Sequence, residues 1–283
     1  MATKWSFLPQ AAATASLWLA LLLPLLAWAL WTSRLRPDRR LLQFAALVYL
    51  DLVCVMVPRS AVFQRLDWNW QGKILEVLWV VVLAAVPGYG LGRLGIRGRS
   101  APRSLLPMML ATAVGTGYGM LLWSKGMRMP ADRETLLFEL TMPGIAEELV
   151  FRGVFQSLLN EVFHWPWKVR ATRFGWGGLL TLALFVIGHG FIFDRRLHLQ
   201  TSLFGAAFAL IPGALLGWLR ERTESVWPCI LVHNVIDGVP LIASAASRMT
   251  RFIDLAPALH FGSDPKRSTL PSGSCTCISS AQG

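Results

Sequence analysis

The chain has 283 residues, 54% of them hydrophobic and only 15% charged, and its mean hydropathy is +0.49. Soluble domains are nearer a quarter charged, so this composition excludes a disordered chain and argues against a water-soluble globule. The net charge of +11 does not point to nucleic acid, because the basic residues fall in short segments between apolar runs (Arg34 to Arg40, Arg93 to Arg103, Lys168 to Arg173), as they do beside membrane helices. The four cysteines, Cys54, Cys229, Cys275 and Cys277, have no framework spacing and carry no reading of redox compartment.

The remaining class is a polytopic membrane protein, an all-α transmembrane helical bundle. Apolar runs at 5–31, 41–57, 74–92, 105–123, 135–163, 175–193, 202–219 and 226–246 predict about eight spans. The first run also resembles a signal peptide, with Lys4 ahead of it and Ala27-Trp28-Ala29 imitating a cleavage site. Its length and Pro24 favour an uncleaved helix. The second run is short and carries Asp51. Trp5, Trp31, Trp123, Trp176, Trp218 and Trp227 lie near span ends, where an interfacial belt places them, whereas Trp18 and Trp28 lie inside the first span and suggest packing. Leaving out the C-terminal tail, the basic residues lean towards both termini outside. The predicted organisation is N-terminal helices over 1–134, a core over 135–247 and a flexible polar tail over 248–283, rich in Ser, Gly and Pro from Phe261 onward.

A charge at the centre of a membrane helix costs about 2.5–3.5 kcal/mol on insertion scales, so it persists only where it faces the bundle interior or a wet cavity. Asp51, Glu76, Glu139, Glu147, Glu148, Arg152, His189, His233 and Asp237 are such residues. In the fifth run, Glu147 and Glu148 project about 100° apart on a helix. Arg152 is four residues after Glu148, in the order that suits an ion pair. Glu148 thus has a resident partner. Glu147 is expected to lack one, as a reacting carboxylate does. A buried cluster of all three that merely joins helices is the competing reading. In the sixth run His189 is flanked by Gly188 and Gly190, which permit close approach of a backbone or a substrate, although a packed core histidine has the same appearance. In the eighth run His233 and Asp237 share a face at i and i+4; they form either an internal hydrogen bond or one wall of a cavity.

The pattern Glu-Glu-x-x-x-Arg, Phe-x-x-x-His and His-x-x-x-Asp, in that order between Leu136 and Ser244, resembles the CPBP family of intramembrane endopeptidases, which includes the type II CaaX prenyl proteases. The resemblance implies that Glu147 activates the hydrolytic water, that His189 helps hold it and that His233 contributes to the oxyanion site. Glu148 and Arg152 match the supporting acid and base. Asp237 stands where many members carry Asn. An Asn amide donates a hydrogen bond and an ionised Asp does not, so Asp237 is either protonated or orients His233. Asn234 could donate, but lies about 100° round the helix from His233.

Two histidines and a glutamate also make a known zinc set, but His-Glu-x-x-His is missing and the ligands would come from different spans, so a cofactor-free mechanism is favoured over a metal-dependent protease. The implied partner is a membrane-anchored or lipidated protein or peptide in the bilayer: a C-terminal sorting tail, a prenylated C-terminus or a bacteriocin-like peptide. The expected location is an integral, multi-pass position in the plasma (inner) membrane. A non-proteolytic scaffold and a proton-coupled transporter are the competing classes. The latter lacks the two-fold repeat and paired broken helices that transporters often show. Asp51 and Glu76 fall outside the pattern. Glycines 115, 117, 119, 205 and 213 suit either close packing or lateral substrate entry, with packing favoured.

Overall fold

A computed structural model describes residues 7–96, 105–125, 132–164, 167–169 and 172–260. The described residues are mostly helical. In order it forms α1 (Phe7–Ser33), α2 (Arg39–Met56), α3 (Trp70–Ala85), α4 (Gly90–Arg93), α5 (Leu105–Ser124), α6 (Arg133–Glu139) and α7 (Met142–Glu147). A π-helical segment (Glu148–Phe155) follows, then α8 (Gln156–Phe163), β1 (Trp167–Val169), β2 (Thr172–Phe174), α9 (Trp176–Gly190), β3 (Phe191–Phe193), β4 (Leu199–Thr201), α10 (Leu203–Thr223) and α11 (Trp227–His260).

Helix starts follow capping chemistry: a side-chain oxygen takes up a first-turn N–H that has no partner within the helix. Asp38 accepts from Arg40 N at 2.8 Å for α2, Asn69 from Gly72 N at 3.1 Å for α3, and Ser202 from Gly205 N at 2.9 Å for α10. Asp132 accepts both the N–H and the hydroxyl of Thr135 ahead of α6.

Helix α9 is the centre of the bundle, packing against α10, α8 and α1. Leu180, Leu184 and Phe185 on it are buried with Trp18 and Leu22 of α1, Phe44 and Val48 of α2, and Phe155 of the π segment. The outward faces are equally apolar. Trp31 is 78% exposed, Val82 66%, Leu105 69% and Leu203 74%, a surface suited to lipid rather than water. Three helices are long and apolar enough to cross a bilayer: Phe7–Ser33, Leu203–Thr223 and Trp227–Ser247. Leu105–Leu121 and Trp176–Gly190 are shorter apolar helices. The protein is therefore a helical membrane protein. The run expected to cross as one span at 135–163 is broken into α6, α7, the π segment and α8, with Pro143 in the first turn of α7.

Two short antiparallel ribbons, β1–β2 and β3–β4, correct the all-helical expectation. Each strand has three residues, too few for a hydropathy pattern to register. The β3–β4 turn is closed by Asp194, which accepts the N–H groups of Arg196 at 2.8 Å and His198 at 2.9 Å. The His198 N–H above all holds the Asp194 carboxyl below the usual carboxylate range. A depressed folded value means that this tie is intact above that range and is lost as pH falls through the folded value.

The described residues fall into two units, one up to Ser244 and one from Ala245. In the second, α11 runs on to His260, so 248–260 are helical where a tail was expected; 261–283 lie outside the described residues.

The α8–α9 contact is tight at Gly177, where a Cβ would meet the Asn160 side-chain amide oxygen and stand 2.6 Å from the Asn160 backbone nitrogen. Overpacking of this kind costs about 1–3 kcal/mol. Gly177→Ala should lower the thermal unfolding midpoint in detergent, read by intrinsic Trp fluorescence; an unchanged midpoint would mean that the helices separate without cost.

Candidate active site

A cavity of about 370 Å³ opens between α3, α6, α7, α9, α10 and α11. Lys73, Glu139, Glu147, His189, His233 and Asp237 supply its ionisable lining. Four of the six sequence-predicted site residues thus share one space. The other two, Glu148 and Arg152, do not line it; their side chains are 0% and 1% exposed.

Those two form the rear support. Arg152 Nε is 3.4 Å from Glu148 Oε2, and Arg152 Nη2 donates to Gly213 O of α10 at 3.2 Å. The guanidinium carbon also lies 4.8 Å from the Phe185 ring centroid, within cation–π range. Glu148 Oε1 is 2.9 Å from His233 Nδ1, and His233 Nε2 is 3.2 Å from Asp237 Oδ2. A continuous line, Arg152–Glu148–His233–Asp237, therefore runs from the buried core to the cavity. Both His233 nitrogens face carboxylates. Asp237 contacts His233, a contact that either of the two roles considered from sequence allows. In this geometry neither ring nitrogen is free to donate to a substrate oxygen unless Asp237 gives way.

His189 sits one residue before the end of α9. Its Nδ1 is 2.9 Å from Phe185 O. A carbonyl only accepts, so Nδ1 carries the hydrogen and Nε2 of the neutral ring is left as an acceptor. The flanking glycines serve packing: a Cβ on Gly188 would stand 3.0 Å from the Trp18 ring and one on Gly190 2.9 Å from Ala206 Cβ. Asn234 is also occupied, its side-chain oxygen accepting Gly144 N–H at 3.0 Å and tying α11 to the start of α7.

One expectation is overturned. Glu147 has a partner: Lys73 Nζ lies 3.1 Å from Glu147 Oε1 and 2.8 Å from Glu76 Oε2. Asp51, on the neighbouring α2, accepts from Trp79 Nε1 at 3.3 Å. The two acids without an account in the sequence thus belong beside the site. Lys73 was missed because it sits in the first turn of α3, where a basic residue passes for an ordinary span flank. The signal was there in Lys73 and Glu76 at i and i+3.

At the cavity rim Trp68 stacks on Phe138 with ring centroids 5.0 Å apart. Glu134 accepts from Trp68 N at 3.1 Å and Trp70 Nε1 at 3.2 Å. The Trp68 N–H above all holds the Glu134 carboxyl below its usual range. Among the described residues, no group of three or more His, Cys, Asp or Glu is disposed to hold a metal ion.

Residues 134–239 match the family profile described as Type II CAAX prenyl endopeptidase Rce1-like. The match supports the CPBP, or CAAX protease-like, family. It covers Glu139 and all six sequence-predicted site residues, and leaves Asp51, Lys73 and Glu76 outside. No curated protein and no solved structure matches the chain. The family supports a CAAX-type intramembrane protease, and hence a hydrolase acting on a membrane-associated protein substrate.

Breaking a buried ion pair by removing one partner costs about 3–5 kcal/mol. Lys73→Met strands Glu76 and Glu147, and Arg152→Met strands Glu148. Both should sharply reduce the thermal midpoint and the folded yield, while Lys73→Arg should retain most of both. Wild-type midpoints in the two Met variants would show that these charges are not held by each other.

Proposed function

We propose that the protein is a glutamate-dependent intramembrane endopeptidase, a multi-pass plasma (inner) membrane protein with about eight helical crossings. The observation that carries this reading is the convergence of Glu147, His189 and His233 on one cavity within an apolar bundle. Glu147 takes a proton from a water that His189 Nε2 helps orient. The hydroxide attacks the scissile carbonyl carbon. Negative charge builds on the carbonyl oxygen near His233, whose Nε2–H turns to it from Asp237. The C–N bond then breaks, and the leaving amine takes the proton that Glu147 holds. Lys73, Glu148 and Arg152 position these groups. Residues 135–247 form the protease core in this reading, and 1–134 supply helices that complete it.

A substrate with an apolar anchor reaches such a cavity through the lipid. C-terminal sorting tails, prenylated C-termini and bacteriocin-like peptides all meet that description. A second reading, a non-proteolytic scaffold, is favoured by the Lys73–Glu147 ion pair, since a purely structural network pairs its charges in the same way.

The test is a comparison of protein termini in membranes of cells carrying wild type, Glu147→Gln or His233→Ala at matched expression, with a chelator arm. One class of apolar tails should stay uncut in Glu147→Gln. His233→Ala should slow cleavage by about 10²–10³, the effect of losing one oxyanion donor. Chelator should leave wild-type cleavage unchanged. Cleavage lost on chelation would establish a metal-dependent protease, and unchanged cleavage in Glu147→Gln would favour the scaffold.

A further inference from the structure

A second cavity, of about 190 Å³, lies on the other side of Glu147 and His189. It shares Lys73, Glu147 and His189 with the first, so these three side chains form a wall between the two spaces. Its own polar lining is Asp51 and Glu76, from helices outside the family match. The rest is apolar, including Val55, Met56 and Trp18.

We infer that this rear cavity is a hydration site that delivers the hydrolytic water to Glu147 from behind. The inference rests on the endopeptidase reading and adds to it the source of the water. The argument begins with volume. One water needs about 10–15 Å³ of such space and two to four polar partners. The rear cavity is more than ten times that size and carries two carboxylates in addition to the three polar groups of the wall. Asp51 is held by the Trp79 indole N–H rather than by a cation, so a dry space would leave its ionised carboxylate without hydration in an apolar bundle, a cost of several kcal/mol.

Access supplies the second step. Peptide hydrolysis consumes one water per turnover. A substrate lying in the front cavity covers it from the lipid side and blocks that route for water. Apart from the shared wall, the rear cavity is lined by other residues than the front one, so a substrate in the front cavity does not occupy it. A water there reaches the Glu147 carboxylate and His189 without passing the substrate. Glu147 removes one proton from it, the oxygen bonds to the carbonyl carbon, the C–N bond breaks and the proton leaves with the amine. Lys73 acts here as a positioning residue: its contacts to Glu76 and Glu147 hold the wall between the two spaces.

The experiment uses the full-length protein in proteoliposomes. Hydroxyl radicals generated from water by radiolysis label side chains next to bound water, and Met is readily oxidised. Met56 and Trp18 report on the rear cavity. Val55→Trp fills it, with Met56→Trp, read at Trp18, as the second variant if the first does not fold. Ala214→Leu, in the groove lined by Leu182 and Trp218, is the filling control. The substrate is an anchored peptide recovered from the terminal-labelling comparison. Met56 and Trp18 should label in wild type and lose label when the cavity is filled. kcat should fall about tenfold or more with KM unchanged, because an interaction used only after substrate binds has been removed. Ala214→Leu should change neither. Unlabelled Met56 and Trp18 in the wild type would show a dry cavity and overturn the inference. Loss of label with unchanged kcat would overturn the delivery role. Cleavage that does not depend on Glu147 would remove the endopeptidase reading, and the delivery role with it, while the labelling would still report whether the rear cavity holds water.

Discussion

The charges around Glu147 and Glu148 are neutralised by neighbours, because the outward faces are apolar and the core offers no bulk water. The site follows from that constraint. Lys73 serves Glu76 and Glu147 from one side. Arg152 serves Glu148 from the other, and Glu148 in turn meets His233. The dipeptide Glu147-Glu148 lies where the two networks meet, with one carboxylate committed to each. Adjacent acids on a single helix repel each other in an apolar setting. Here they are tolerated because each faces a different cation, and it is this division that leaves Glu147 at the cavity and Glu148 behind it.

The backbone carries the same division. A straight α-helix over 135–163 would have been the simplest crossing. The chain instead breaks at Leu140–Thr141, restarts in α7 and widens into a π-helical segment from Glu148. Such widening is frequent at functional sites. Irregular backbone within an apolar bundle is stable only when protein groups satisfy it. The Asn234 side chain does so for Gly144 N–H, and it comes from α11, the helix that brings His233 and Asp237. The break and the second wall of the cavity are thus joined by a single hydrogen bond.

Much of this was legible in the sequence because helical spacing is local. Glu148 with Arg152 and His233 with Asp237 are i, i+4 pairs, and both meet as spacing requires. Spacing also separated Glu147 from Glu148, one residue in the cavity and the other behind it. What spacing cannot supply is a partner from another helix. Lys73 is 74 residues from Glu147, and its approach depends on how α3 packs against α7. The Glu148–His233 contact is non-local in the same way. The two ribbons escaped because three-residue strands have no period to detect, and the break at 140–141 escaped because an apolar composition continues through it.

The N-terminal helices have therefore to be counted with the site, even though the family match begins at residue 134. Lys73 reaches it from α3. Helix α1 acts through the other histidine. Gln10, Thr14 and Trp18 recur every four residues on one face of α1 and hydrogen-bond the strand that follows His189. Gln10 Nε2 donates to Phe193 O at 2.8 Å, Thr14 Oγ1 accepts Phe193 N–H at 3.2 Å, and Trp18 Nε1 donates to Phe191 O at 2.6 Å. A histidine next to the end of a helix would otherwise sit where helices fray. Clasping β3 to α1 fixes the backbone immediately after His189, and the Nδ1 contact to Phe185 O fixes the ring from within α9. His189 is thus held from both sides of the helix terminus, by residues that a hydropathy profile of α1 records only as the polar minority of an apolar span.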